Sequence, residues 1–238
     1  MRVLFAFIFW IARTGSKNDT ELYQQTNGTM LIIGAKGLAK EVLEIFHQKN
    51  VLQKLYFYDD ISTDIPDKLY GQFLVLKNME QVRLLFKTDQ RFIIGVGNPA
   101  LRFKLYQQFK SAGGEPVSAI SPFAQIGSYG TSIAAGSIVM ANTVITNDAK
   151  IGIACLVNPN CTISHDTVIG DFVEISPAVQ ITGNCHIGDF CNIGTNATIL
   201  PKVKLGNYVT VGAGAVVTKD VEDGLTVLGI PARPSDKK

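Results

Sequence analysis

Every sixth residue from Ile133 to Val217 is a branched aliphatic, without a miss: Ile133, Val139, Ile145, Ile151, Val157, Ile163, Ile169, Ile175, Ile181, Ile187, Ile193, Ile199, Leu205, Val211 and Val217. A second series stands four residues behind the first. It runs Ser137, Thr143, Ala149, Cys155, Cys161, Thr167, Val173, Val179, Cys185, Cys191, Ala197, Val203, Val209, Ala215, every member small or β-branched. A period of six suits neither the 3.6-residue repeat of a helix nor the simple alternation of a hairpin sheet. It suits short strands that turn one aliphatic and one small side chain inward before the chain bends to a new face. A slower beat of eighteen overlies it: Gly152, Gly170, Gly188 and Gly206 share one place, and Phe172, Phe190 and Tyr208 another. Three hexapeptides therefore predict one coil, and the whole predicts a triangular prism of roughly five coils around an apolar column.

All four cysteines fall in the small inward register and form no CxxC pair. They read as core fillers rather than metal ligands or nucleophiles, so an acyl-cysteine intermediate is not expected. A net charge of +2, with acidic and basic residues well mixed, gives no case for nucleic acid or an anionic membrane as partner.

The 238 residues leave room for a second, modest domain ahead of the prism. Met30 to Gly34 (MLIIG) predicts a buried strand, and LAKEVLEIFHQKN after it has helical spacing. KLYFYDD, FLVL and RFIIGVG predict further strands, and residues 78–87 and PALRFKLYQQFKSAG further helices. Strands alternating with helices predict a parallel sheet of Rossmann-like type. The turn Gly34-Ala35-Lys36-Gly37 between the first strand and helix suits an anion such as phosphate, although a structural turn is an even alternative and the full GxGxxG fingerprint is missing. The expected division is a leader over 1–29, an α/β domain over 30–120, and the coiled domain with its tail over 121–238. In the leader, ten apolar residues (Val3 to Ala12) follow Met1-Arg2, too few to span a bilayer as a helix and with no small-x-small cleavage site behind them. Residues 1–29 read as an upstream extension or mis-called start outside the fold; a secreted or membrane-tethered chain is the rival reading.

The repeated segments IGDFVE, IGDFCN and LGNYVT resemble the hexapeptide transferases, and that resemblance implies a left-handed parallel β-helix. With GxxGxxKEV after the first strand and a junction at Ser121-Pro122, the chain from about residue 30 to 234 resembles one subgroup: the bacterial sugar acyltransferases of the sialic-acid O-acetyltransferase and UDP-4-amino-sugar N-acetyltransferase type. The resemblance implies an acetyl-CoA-dependent enzyme acting on a nucleotide-linked sugar for surface glycan synthesis, homotrimeric, cytoplasmic, and independent of metal. It implies that Gly34, Ala35, Lys36 and Gly37 line the phosphates and Asp59 and Asp60 the nucleoside. Many relatives carry histidine where this chain has Leu38, and some a second histidine where it has Glu174, a position that touches cofactor or substrate. For acetyl-CoA the resemblance points to Gly194, Gly212, Ala213 and the closing loop Gly229-Ile230-Pro231-Ala232, with Lys202 or Arg233 near phosphates.

Of three histidines, His47 lies in the first helix and His186 in an outward register that matches no motif. His165 falls at an outward corner, is followed by Asp166, and has Gly183 one coil onward, where it should stack beside the ring. An imidazole can take a proton near neutrality, a carboxylate can hold its tautomer, and a bare glycine N–H can face an oxyanion. The segment Ser164-His165-Asp166-Thr167-Val168-Ile169-Gly170 resembles the catalytic segment of the sugar N-acetyltransferases, which implies His165 as base, Asp166 as its carboxylate and Gly183 as the oxyanion amide. Direct attack on acetyl-CoA at a subunit boundary is the expected course, with N-acetylation of a UDP-linked 4-amino-4,6-dideoxy sugar ahead of O-acetylation of sialic acid or another sugar. A γ-carbonic-anhydrase-like lyase needs three zinc-binding histidines, and the coils hold only His165 and His186. A non-catalytic trimeric scaffold is the other alternative.

Overall fold

The computed structural model describes residues 30–52 and 54–235; the reading of 1–29 as a leader lies outside the described residues. In the front domain β1 (Met30–Ile33), α1 (Gly37–Gln48), β2 (Leu55–Tyr58), β3 (Lys68–Leu69), β4 (Phe73–Leu76), α2 (Met79–Phe86), β5 (Arg91–Ile94), α3 (Pro99–Ser111) and β6 (Glu115–Pro116) follow in order. The sheet order is β3-β4-β2-β1-β5-β6. All four residues of β1 are buried, because helices cover both faces of the sheet. Ile32 packs with Ala39, Val42 and Phe46 of α1 on one side. Leu31 and Ile33, pointing the other way, pack with Val82, Phe86 and Phe109 of α2 and α3.

The expected parallel sheet is present in β4, β2, β1, β5 and β6, but β3 pairs antiparallel on its edge. The cause is local: Tyr70 and Gly71 both take positive φ (52° and 67°) and Gln72 N–H donates to the Leu69 carbonyl, a tight hairpin turn. Asn78 and Asn98 cap α2 and α3 with their side chains, and Pro99 opens α3. The N-terminus of α1 has no side-chain cap, so its first N–H groups face the crevice at the strand ends.

The remainder is a left-handed parallel β-helix whose short strands stack in register eighteen residues apart. The exceptions are a nineteen-residue step at the start of the first two faces and a sixteen-residue step at the end of the first. Its first face carries Ala119–Ile120, Ile138–Val139, Leu156–Val157, Glu174–Ile175, Asn192–Ile193, Thr210–Val211 and Thr226–Leu228. The second face carries Gln125–Ile126, Val144–Ile145, Thr162–Ile163, Gln180–Ile181, Thr198–Ile199 and Val216–Val217. The third carries Ser132–Ile133, Lys150–Ile151, Val168–Ile169, His186–Ile187 and Lys204–Leu205. The second residue of each pair points inward, and from Val139 on the aliphatic series forms one buried column with the small series.

The corners explain the slower beat. Every sixth residue from Asn142 to Tyr208 has a left-handed φ between 50° and 67°. At one corner the carboxylates of Asp171, Asp189 and Asp223 and the Asn207 amide oxygen each accept a backbone N–H one coil below, at 2.7–2.9 Å. A Cβ on Gly152, Gly170 or Gly206 would collide with these side chains. The small register also makes bonds: Ser137, Thr143 and Thr167 hydroxyls donate to the carbonyls of Gly152, Asn158 and Thr182. The thiols of Cys155, Cys161, Cys185 and Cys191 make the same step, 3.0–3.2 Å from carbonyls fifteen residues on. All four cysteines are free and buried.

The front domain covers the first face. Ile138 and Leu156, facing outward there, share a cluster with Ala39 and Leu43 of α1. At the corner between the third and first faces, Phe172, Phe190 and Tyr208 stack with centroids 5.3 and 4.9 Å apart. Phe103 and Tyr106 of α3 meet Phe172 edge-on at 5.2 and 5.4 Å. A left-handed φ is unfavourable for an aromatic residue by about 1–2 kcal/mol, and ring contacts of comparable worth offset it.

Candidate active site

His165 lies on the edge between the second and third faces, in the turn that joins Thr162–Ile163 to Val168–Ile169. Asp166 occupies the left-handed position of that turn (φ 58°), a conformation aspartate tolerates better than most residues. Its carboxylate lies 2.7 Å from His165 Nδ1. With Nδ1–H donating to Asp166, the ring presents Nε2 outward as an acceptor, and both side chains are more than half exposed. The Cε1–Nε2 edge of the ring lies against Gly183: a Cβ there would come within 2.6 Å of both atoms. The Gly183 carbonyl accepts from Lys202 N–H, while its own N–H has no acceptor among the described residues.

A second site lies at the carboxyl ends of the front-domain strands. The chain runs from β1 outward to β2 and β4, then returns to β5 on the other side of β1, so the sheet's switch point lies between β1 and β5. The loops after these strands meet there. Gly34 has φ 99°, and a Cβ on it would stand 3.0 Å from the Gly95 carbonyl oxygen. Gly37 opens α1 into free space. Ala35 turns its methyl into the core, and exposed Lys36 pairs with Asp64 at 2.9 Å. Asp59 uses its carboxylate to accept Ile61 and Ser62 N–H groups at 3.2 and 2.8 Å, and Asp60 beside it is exposed. Gly34 to Gly37, Asp59 and Asp60 thus share one end of the sheet.

Glu174 joins this crevice from the β-helix. It is the next outward residue above Leu156 on the first face, and its Oε1 would lie 3.3 Å from a Cβ on Gly97. Burial raises its carboxyl pKa, and the Arg102 guanidinium opposes that rise. Arg102 itself is 1% exposed, and burial lowers its pKa to about 10.

Gly194, Gly212 and Ala213 stack on the edge between the first and second faces, where a Gly194 Cβ would press on Ala213 N. The loop Gly229-Ile230-Pro231 closes the top of the second face through Val216 N–H to Gly229 O and Ala232 N–H to Val216 O. Lys202 does not join them; it stands on the His165 edge, one coil above Asn184. His186 and His47 are exposed. Among the described residues no group of three His, Cys, Asp or Glu side chains is placed to hold a metal ion, and no helix is long and apolar enough to cross a membrane. Sequence reasoning overlooked Gly95, Gly97 and Arg102. The G-V-G after the RFII strand was a readable signal, since a glycine pair at a strand end permits close backbone approach.

A parallel β-helix of hexapeptides with a His-Asp pair on one edge, behind an α/β domain with a glycine turn at its switch point, defines an acyltransferase of the hexapeptide class. The PglD N-terminal domain model matches residues 29–109, and that of the bacterial transferase hexapeptide (six repeats) matches residues 184–219. Among solved structures, WeeI from Acinetobacter baumannii is 31% identical, with 87% of this chain and 99% of that chain covered and a TM-score of 0.79. The acetyltransferase domain of PglB from Neisseria gonorrhoeae, in complex with acetyl coenzyme A, is 30% identical over 88% of this chain and 100% of that one, TM-score 0.79. A histidine-to-asparagine mutant of perosamine N-acetyltransferase from Caulobacter crescentus, in complex with CoA and GDP-perosamine, is 27% identical over 88% and 98%, TM-score 0.81. A search of curated protein sequences finds no match. The chain belongs to the hexapeptide-repeat sugar acyltransferase family.

Proposed function

We propose that this protein transfers acetyl from acetyl-CoA to the amine of a nucleotide-linked amino sugar, with His165 as general base. The observation that carries the reading is the imidazole over Gly183, its Nδ1 held by Asp166 and its Nε2 free. In this reaction Nε2 takes a proton from the attacking amine as the C–N bond forms at the thioester carbonyl carbon. The Gly183 N–H stabilises the oxyanion, the C–S bond breaks, and the proton passes from Nε2 to the departing CoA thiolate. The Gly34–Gly37 turn and the uncapped start of α1 suit the phosphates of the sugar nucleotide. CoA would run along the second face between the His165 edge and Gly194, Gly212, Ala213 and the 229–231 loop.

Two copies are needed for this chemistry. The front domain covers the first face, and His165 stands on the one edge that does not border it. The base of one protomer therefore serves a sugar held by another. The third face carries Lys150, His186 and Lys204 outward and suits solvent. The second carries Gln125, Val144, Thr162, Gln180, Thr198 and Val216 and no charge, which suits contact between copies, closing as a trimer. A cytoplasmic location goes with substrates of this kind.

The test is release of free CoA from acetyl-CoA with a panel of nucleotide sugars: UDP-linked 4-amino-4,6-dideoxy sugars, GDP-perosamine and their hydroxy counterparts. Turnover with an amino sugar is the expected result. His165→Ala should lower kcat by about 10²–10⁴-fold with melting temperature unchanged. Near-normal turnover in that variant would remove the base assignment, and turnover with hydroxy sugars alone would make the enzyme an O-acetyltransferase.

A further inference from the structure

Two buried side-chain oxygens among the described residues have no hydrogen-bond partner, Tyr58 Oη and Thr146 Oγ1. Thr146 is a half-buried residue on an edge of the β-helix, whereas Tyr58 is 2% exposed. A buried tyrosine hydroxyl ordinarily finds a partner, because a dry, unpaired one is unfavourable. Tyr58 is also the last residue of β2, at the sheet end that carries the Gly34 turn. Its own carbonyl accepts the Gly34 N–H at 2.8 Å.

Packing holds the hydroxyl where it is. The ring stands edge-on to Phe109 of α3 at 5.1 Å and shares a cluster with Leu31, Ile33 and Phe86. Asp59 and Asp60 follow it in the chain. Asp59 is occupied with the turn, its carboxylate accepting the N–H groups of Ile61 and Ser62. Asp60 is exposed, and a step of two residues returns to the same side of an extended chain. Burial and the nearby Asp60 carboxylate raise the pKa of the Tyr58 hydroxyl, yet the two groups do not meet in hydrogen-bonding geometry. The pair is close but unmade. While Asp60 faces solvent, water serves its carboxylate. A nucleoside that covers Asp60 strips that water away, and the buried hydroxyl becomes the donor within reach.

We propose that Tyr58 is a positioning residue for the nucleoside of the sugar nucleotide. Its hydroxyl donates to one Asp60 oxygen when the ligand binds, and the other oxygen turns to the hydroxyl or N–H donors of the nucleoside. A bond from O–H to a carboxylate is short and directional, so it fixes a side chain that is otherwise free to turn. Tyr58 touches no ligand itself, since its oxygen is covered; it acts through Asp60. The unmet hydroxyl of the free protein is then a donor held ready, at some expense in stability. The proposal rests on the sugar-acetyltransferase reading above, with Asp60 at the nucleoside end.

Tyr58→Phe in the full chain tests it, because binding and stability should not fall together. Without ligand the melting temperature should hold or rise, since the ring is kept and an unpaired buried hydroxyl is removed. The calorimetric Kd for UDP or GDP, whichever the wild type binds, should rise about tenfold. KM for acetyl-CoA should keep its wild-type value. In an Asp60→Ala background the same substitution should leave Kd unmoved, because the hydroxyl acts only through that carboxylate. An unchanged Kd in the single variant marks the hydroxyl as structural or idle and overturns the assignment. An equal rise in both backgrounds overturns it too, and either result leaves the enzyme reading intact. Wild-type protein that neither binds nor turns over any of the sugar nucleotides above overturns the enzyme reading, and this proposal with it.

Discussion

The β-helix and the domain in front of it are held together on different principles. In the β-helix one set of contacts recurs on each coil: an inward aliphatic, a small residue whose hydroxyl or thiol reaches the next coil, and a left-handed corner. Each coil depends only on its neighbours, so direction is fixed by position within the six-residue step. In the front domain no contact recurs. Leu31 and Ile32 belong to different clusters although adjacent, and the Gly34 turn has meaning only because the Gly95 carbonyl happens to face it. The comparison teaches where chemistry shows itself. On a regular rod a His-Asp pair over a glycine stands out as an exception, whereas in a crevice of unlike loops each residue looks ordinary.

The seam between the two regions is where the comparison can be broken most forcefully. Arg102→Met removes five N–H donors and leaves carbonyls of both regions buried and unpaired. A loss of about 3–5 kcal/mol is expected, from orphaned acceptors that a thioether cannot satisfy. Scanning calorimetry should show a lower-melting front domain and a β-helix close to its former temperature. A single transition at the wild-type temperature would show that the seam is held by the Phe103, Tyr106 and Phe172 rings instead.

Gly183→Ala sharpens the comparison on the regular side. Gly183 is not at a left-handed position, so the backbone accepts alanine, but the new methyl group would press into the His165 ring. Ring displacement of about an ångström can lower turnover by about 10²-fold. The expected result is that loss in kcat with folding and sugar-nucleotide affinity preserved. Full activity would mean that the ring works from another position.

How much of this was legible in the sequence follows the same division. The fifteen aliphatic positions, the inward cysteines and the stacking of His165 on Gly183 could be read because the repeat converts residue number into direction. The glycine beat was visible without its cause, since the carboxylates that occupy the space belong to the next coil. The edge hairpin at Tyr70-Gly71 was missed because tyrosine is an unusual residue for a left-handed turn. Arg102 was illegible for a stronger reason. Within α3 it is one basic residue among several, and its burial depends on how two separately folded surfaces meet. Glu174 could be noticed as a departure from relatives, but its place against the Gly97 backbone exists only in three dimensions.

The smallest effect tests whether the small register is chemically silent. Burial raises the Cys155 thiol to about 12 and those of Cys161 and Cys191 to about 11, and pushes Cys185 up as well. At pH 8 the folded protein should therefore leave an aromatic disulfide reagent unconsumed, and denaturation should release all four thiols. Cys161→Ser is the sharper probe. Ser137 in the same register already donates across the same fifteen-residue step, so a serine at 161 can keep the bond to the Ser176 carbonyl. A change of about 0.5–1 kcal/mol in stability and none in turnover is expected, because the thiol fills space and bridges two coils. Loss of turnover with folding intact would instead require a sulfur in the acyl transfer, and direct attack by the sugar amine would have to be given up.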